Sequence, residues 1–297
     1  MRSYLLLCIA LLSTVTMNTV AQTTRTVTVN GKTIGDDGVT IDKVQYRITY
    51  KFQSVNDTTN VDSLGNYNYL QDEMRLDIGD NVSYFYSYIN YRRDSVISER
   101  VKQGDFDFSN VGGGGSISWT LYRNYPEGKV VVFDNCKGNS YRMTEAVSVP
   151  EWFIVPDSSK QILGYECQLA QAAFKGRKWY AWYTDDIPLD NGPWKLSGLP
   201  GLILQAHDAS MQFIFNVVGL EQVNGKSPIL YDTNKDKCEE VTMKQFGEIK
   251  KKMTLGDMFA GSDMKNITAS DEHGNKIDEK TLKALLNRHD PYNAIER

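Results

Sequence analysis

Residues 44–52 read Val44-Gln45-Tyr46-Arg47-Ile48-Thr49-Tyr50-Lys51-Phe52. On an extended chain Val44, Tyr46, Ile48, Tyr50 and Phe52 share one face, and Gln45, Arg47, Thr49 and Lys51 share the other. A strict period of two, apolar on one side and polar on the other, predicts a strand with one face buried. The apolar positions are β-branched or aromatic, the side chains that pack best on a pleated surface. Met74, Leu76 and Ile78 repeat the pattern, and Gly79-Asp80-Asn81 turns the chain into residues 82–88, which predicts a hairpin. The polar stretch 56–68 separates the first two strands.

Further strands are expected at 117–122, 129–133 and 141–147, punctuated by Gly128 and Lys137-Gly138-Asn139. Residues 149–155 have a proline near each end and read as an edge strand or a connector. Residues 163–173 and 177–183 form another hairpin. In its second arm Trp179, Ala181 and Tyr183 face one way and Tyr180 and Trp182 the other, so both faces are aromatic. Residues 201–205 and 212–218 read as the last strands. A short helix is expected at 95–102. After residue 241 the character changes. Thr242 and Gln245 have capping-box spacing, with Met243, Phe246, Ile249 and Met253 at helical intervals behind them. Residues 278–287 form a second amphipathic helix through Leu282, Leu285 and Leu286. The expected fold is therefore mainly β, an antiparallel curved sheet or half-barrel with short C-terminal helices. It comprises a β-rich domain over 22–240 and a helical segment over 241–297 packed on it.

The N-terminus reads as an export signal over residues 1–21. Arg2 precedes an apolar run from Leu5 to Leu12, and Thr19-Val20-Ala21 supplies small residues for cleavage before Gln22. A bilayer span needs about 20 apolar residues, so the run is too short to cross, and no later stretch is long and apolar enough. The expected location is outside the cytoplasm, in the periplasm, on the outer membrane or beyond it. The net charge of -4 gives no basic footprint for nucleic acid.

Chemistry-bearing residues are sparse. Cys8 leaves with the signal, and Cys136, Cys167 and Cys238 lack the close spacing of a zinc site. Cys167 is expected to be buried, with Cys136 as its partner if it is bridged. The glycines 112–115 are not followed by Gly-Lys-Ser/Thr, which makes them a flexible loop rather than a phosphate loop. The histidines are His207, His273 and His289. A hydrolase built from His207, Asp208 and Ser210 or Ser197 meets the objection that neighbours on a strand point to opposite faces. No metal site and no cofactor is predicted.

One stretch is denser in information: Ile187-Pro188, Gly192-Pro193-Trp194-Lys195 and Gly198-Leu199-Pro200-Gly201-Leu202-Ile203. Glycine opens backbone angles that proline closes, so together they specify one irregular path. The apolar side chains of Leu199, Leu202 and Ile203 place this path against the core, as a rigid corner. The stretch resembles the GLPGLI family, named for residues 198–203. The likeness extends to Gly164-Tyr165-Glu166-Cys167-Gln168-Leu169-Ala170, Gly176-Arg177, Ala181-Trp182-Tyr183-Thr184 and the tail Asp290-Pro291-Tyr292-Asn293-Ala294-Ile295-Glu296. It implies an exported protein of Gram-negative bacteria and supplies no reaction. A half-barrel like that of periplasmic lipoprotein carriers is suggested only by analogy of layout.

The function expected is non-enzymatic: an exported envelope protein that binds an apolar ligand, a lipid or an envelope peptide or protein, on a curved sheet. The face carrying Tyr46, Tyr50, Phe52, Trp179 and Tyr183 is the candidate ligand surface; the alternative is that these side chains simply form the core, as most alternating aromatics do. A secreted hydrolase or a metal-binding envelope protein is the alternative.

Overall fold

The computed structural model describes residues 27–29, 32–34, 38–136, 138–259, 269–270 and 275–297. The expected signal and Cys8 lie outside the described residues, as does His273. The protein is mainly β. A small antiparallel pair, β1 (Val27–Val29) and β2 (Lys32–Ile34), precedes one large sheet. The sheet's strands are β3 (Val39–Ser54), β4 (Leu70–Ile78), β5 (Ser83–Ser87), β6 (Thr120–Arg123), β7 (Lys129–Cys136), β8 (Asn139–Ala146), β9 (Phe153–Ile162), β10 (Tyr165–Phe174), β11 (Arg177–Thr184), β12 (Leu202–Asp208), β13 (Phe213–Tyr231) and β14 (Glu239–Glu240). Their order across the sheet is β14-β8-β7-β6-β5-β4-β3-β13-β12-β11-β10-β9. Every pairing is antiparallel except the parallel contact of β14 with β8, and the sheet does not close into a barrel.

Sequence neighbours pair with each other along most of this order, because the hairpins bring them together at little entropic cost. The long-range joint is β3 with β13, where Phe52 faces Phe215 and Tyr50 faces Val217. It holds the N-terminal meander and the C-terminal strands in one sheet.

Several elements extend beyond the sequence expectation, among them β3, β9, β13 and the first helix. The helix expected at 95–102 is α1 (Tyr88–Lys102), because Ser87 ends β5 and caps the helix, its side chain accepting from the Asn90 N–H. Tyr88 and Tyr91 look strand-like by composition, and the cap overrides them. Strand β13 runs on to Tyr231 because β3 is long enough to pair with it throughout. A bulge at Gln222–Ser227 accommodates Asn224 (φ 55) and Gly225 (φ 72). Residues 149–152 are connector, and the edge strand is β9. Helix α2 (Met243–Lys251) carries the expected capping box of Thr242 and Gln245, and α3 (Glu279–Leu286) is capped by Asp278, whose side chain accepts from the Thr281 N–H.

The main core lies on one side of the sheet and includes Ile48, Tyr50, Phe52, Met74, Leu76 and Phe85. A second cluster joins Val44, Val82, Tyr122, Val131, Phe133 and Tyr231. Strand β3 thus leaves one core and enters the other along its 16 residues.

Candidate functional site

The segment between β11 and β12 is the irregular corner foreseen from its glycines and prolines, and it folds back onto the sheet. Trp194, Leu196 and Leu199 are 3%, 0% and 3% exposed, and the Trp194 ring sits 5.4 Å from that of Trp179. The Leu202 N–H donates to the Ile187 carbonyl at 3.0 Å and the Ile203 N–H to the Asn191 carbonyl at 3.0 Å, closing the corner on itself. The Tyr50 hydroxyl donates to the Ile203 carbonyl at 2.6 Å, and the Trp152 Nε1–H to the Ser197 carbonyl at 2.7 Å. Buried Arg123 donates to the Trp194 carbonyl at 3.2 Å, and burial pushes its pKa down to about 10. Gly198 has φ +91, and the Val149 side chain lies where a Cβ would go.

This packing settles where the candidate ligand surface lies. Tyr50, Phe52, Trp179 and Tyr183 are at most 2% exposed, and Tyr46 is half-buried against the same core. These side chains are core, and the face expected to hold a ligand is covered by the corner. The opposite face of β11 is partly covered as well: Lys160 Nζ lies 4.2 Å from the Trp182 ring, and His207 stacks on Tyr180 at 5.3 Å.

The corner also holds the C-terminal residues, which single-strand patterns could not reveal. The Lys195 side chain is 2% exposed, and its Nζ pairs with Glu145 Oε1 at 2.8 Å and with Glu296. Lys175 reaches the other oxygen of Glu145 at 2.7 Å. Arg177 is the hub beside it. It donates to Asp208 Oδ2 at 2.9 Å, Gln212 Oε1 at 3.1 Å, Asn293 Oδ1 at 2.7 Å and the Ile295 carbonyl at 3.0 Å. The Asn293 Nδ2–H donates to the Val55 carbonyl at 2.8 Å. The stretches quoted for the family resemblance, at 176–177, 192–203 and 290–296, therefore meet in space.

Burial pushes the Glu145 carboxyl up, but Lys195 and Lys175 outweigh it and hold it below its ordinary 4.5. A depressed carboxylate contributes stability above its unfolded value and loses it as pH falls through the folded value. Glu145→Gln should therefore lower the melting temperature at pH 7, by an amount equivalent to about 1–2 kcal/mol. The gap to the parent should close as pH falls below 4.5 and through the depressed folded value. A gap that persists unchanged at pH 3 would show that the ion pairs contribute nothing.

The remaining candidates do not assemble a reaction centre. The Asp208 carboxylate is buried and accepts from Arg177, the Gln212 N–H at 2.7 Å and the Phe213 N–H at 2.9 Å. His207 lies on the other face, with Nδ1 3.1 Å from the Asp208 carbonyl rather than its carboxylate. Among the described residues no cluster of three or more His, Cys, Asp or Glu has the geometry to hold a metal ion. Cys167 is 0% exposed, as expected. The suggested Cys136–Cys167 disulfide is not formed. Cys136 ends β7 and its Sγ contacts Met253 Sδ at 3.5 Å, whereas Cys167 lies on β10, near the far edge of the sheet order.

An open cleft of about 310 Å³ lies on the outer face, lined by Lys51, Gln71, Asp72, Glu73, Ile89 and Val218. Asp72 is committed structurally. It accepts from the Ser87 hydroxyl at 2.9 Å, the Glu73 N–H at 2.7 Å and the Ile117 N–H at 2.8 Å. Burial raises its pKa. The glycine run is not uniformly loose: Gly112 and Gly113 border open space, but a Cβ on Gly115 would strike the Asp72 carboxylate.

A family model described as a protein of unknown function (Porph_ging) matches residues 173–205, which comprise β11 and the corner with their immediate flanks. No curated protein matches. Two solved structures, described as PNGF-II in the P21 and C2 space groups, are similar at 16% and 15% identity with TM-scores of 0.42 and 0.41. Each match covers 69% of this chain and 32% of the other, so this chain spans about a third of the length of those proteins.

Proposed function

We propose that this is a non-enzymatic, exported component of the Gram-negative envelope, of the GLPGLI type, that works by binding another protein. The observation that carries the reading is the filled interior. The aromatic face suited to an acyl chain is covered by Trp194, Leu196 and Leu199. Large exposed apolar side chains lie instead at the rim: Val147, Val149, Phe153 and Ile154 are 36–59% exposed. Large apolar side chains left in water along a strand edge favour association with a partner. The signal-like residues 1–21 support export, and no helix among the described residues is long and apolar enough to cross a membrane.

Native mass spectrometry of the protein purified without detergent tests the choice between lipid and protein. The expected spectrum carries the mass of the polypeptide alone, and added palmitate leaves it unchanged. A stoichiometric lipid adduct, retained or acquired, would overturn this reading and return the curved sheet to the role of a lipid carrier.

A further inference from the structure

Strand β9 closes one end of the large sheet, with β10 as its neighbour on one side only. None of its ten residues is buried, and none makes a backbone hydrogen bond to a loop or turn among the described residues. Its outward N–H and C=O groups form an open template for another extended chain. The template is uneven. Phe153 pairs with Gln171 and Ile154 with Ala170, whereas Ser159 pairs with Gln168. Between these registers β9 advances five residues and β10 two, and the excess is a bulge containing Pro156 and Asp157 (φ 52).

That bulge selects the occupant. Two-fold antiparallel pairing of β9 with a second copy of itself, centred on the bulge, would set the two bulges against each other; centred on Ile154, it would bring Glu151 toward the copy's Asp157, and like charges repel. A shorter foreign strand laid along 153–155 meets no such obstacle. There it finds Phe153, 59% exposed, on one face of the sheet and Ile154, 45% exposed, on the other. Val147 and Val149 extend the apolar surface on the N-terminal side. The rim is acidic: Glu151 and Asp157, on either side of this stretch, are exposed and engaged in no ion pair with a described residue.

We propose that residues 153–155 form a docking edge for an extended segment of another protein, apolar at alternate positions and basic at its ends. The segment adds a thirteenth strand to the sheet. Its backbone supplies the missing hydrogen bonds, its side chains pack beside Phe153 and Ile154, and its cations meet the acidic rim. This rests on the reading of the protein as a protein-binding module, and names the site and the partner's chemistry.

The probe is a fluorescein-labelled octapeptide with lysine at each end and valine alternating with threonine between, titrated with the purified chain and followed by anisotropy. Saturable binding is expected, with slowed amide exchange at 153–155. Phe153→Ser should weaken it at least tenfold, as should Val155→Pro, which removes a backbone N–H from the docking stretch. The same peptide ended in glutamate should bind at least tenfold more weakly at low salt. If Val155→Pro fails to fold, the exposed Phe153 still decides. Absence of binding, or binding indifferent to Phe153→Ser, would overturn the proposal. So would a concentration-dependent dimer abolished by Phe153→Ser, which would make the occupant a second copy. A silent peptide titration beside a lipid-free mass spectrum would sink this edge and leave the protein-binding reading standing. A lipid adduct would sink that reading itself.

Discussion

Gly201→Val should lower the melting temperature by roughly 6–12 °C. Two glycines of residues 198–203 are constrained for different reasons. Gly198 needs its positive φ of +91 and abuts a side chain, that of Val149, whereas Gly201 abuts backbone that cannot give way. A Cβ there would overlap the Thr184 carbonyl oxygen and stand 2.6 Å from the Thr184 carbonyl carbon and 3.0 Å from Asp185 Cα. All three are backbone atoms at the end of β11 and cannot rotate away. Overpacking of this kind costs about 3 kcal/mol or more. At about 2–4 °C per kcal/mol for a domain of this size, that gives the stated range. Leu202→Ala, at a side chain 0% exposed, should cost about 2–5 kcal/mol through the opposite mechanism, a cavity. Gly113→Ala borders open space and should change stability by under about 0.5 kcal/mol. Equal melting temperatures for Gly201→Val and the parent would refute the structural role of the corner and make it the first place to seek a ligand.

Arg177→Ala should destabilise the fold by about 3–5 kcal/mol and release the C-terminal residues together. The Arg177 and Asp208 side chains are each 2% exposed, so removing the cation leaves an unpaired carboxylate in the interior. Arg177 also donates to Asn293 and to the Ile295 carbonyl, and the Arg297 N–H donates to the Lys175 carbonyl at 3.0 Å. Loss of the guanidinium therefore reaches both the sheet and the tail. Lysine should not restore it, because a single ammonium cannot reproduce a planar fork that engages several acceptors. Chemical denaturation gives the energy, and amide exchange over 293–297 reports the tail. Exchange there as slow as in the parent, with the predicted destabilisation present, would show that the tail is held without Arg177.

Much of the fold was legible because its signals are local. The alternation over 44–52, the turn at 79–81 and the hairpin around Gly176 each span fewer than about 20 residues, and a period of two describes them. The two C-terminal helices announced themselves through the capping-box spacing of Thr242 and Gln245 and the apolar stripe of Leu282, Leu285 and Leu286, all signals within one element. Where local signals conflicted, the reading slipped: Tyr88 and Tyr91 favour strand by composition, and the Ser87 cap made them helix.

The candidate site was less legible. Alternation says that Tyr50, Phe52, Trp179 and Tyr183 share a face with their strand neighbours, but not whether that face is open or covered. Covering depends on the corner folding back across the sheet, and the bond from Tyr50 to the Ile203 carbonyl joins residues 153 positions apart. The cysteines were similar. Burial of Cys167 followed from its place in an alternating strand, but its distance from Cys136 depends on a strand order in which β3 pairs with β13. By itself the sequence determined the strands, the caps and the rigid path of residues 192–203, since each rests on backbone angles and side-chain spacing within a few residues. Only the tertiary structure decided that the aromatic face is interior, that Lys195 and Arg177 grip the chain's last residues, and that β9 ends the sheet among the described residues. Each of these depends on which distant surfaces exclude water from one another, and that is set when the whole sheet assembles.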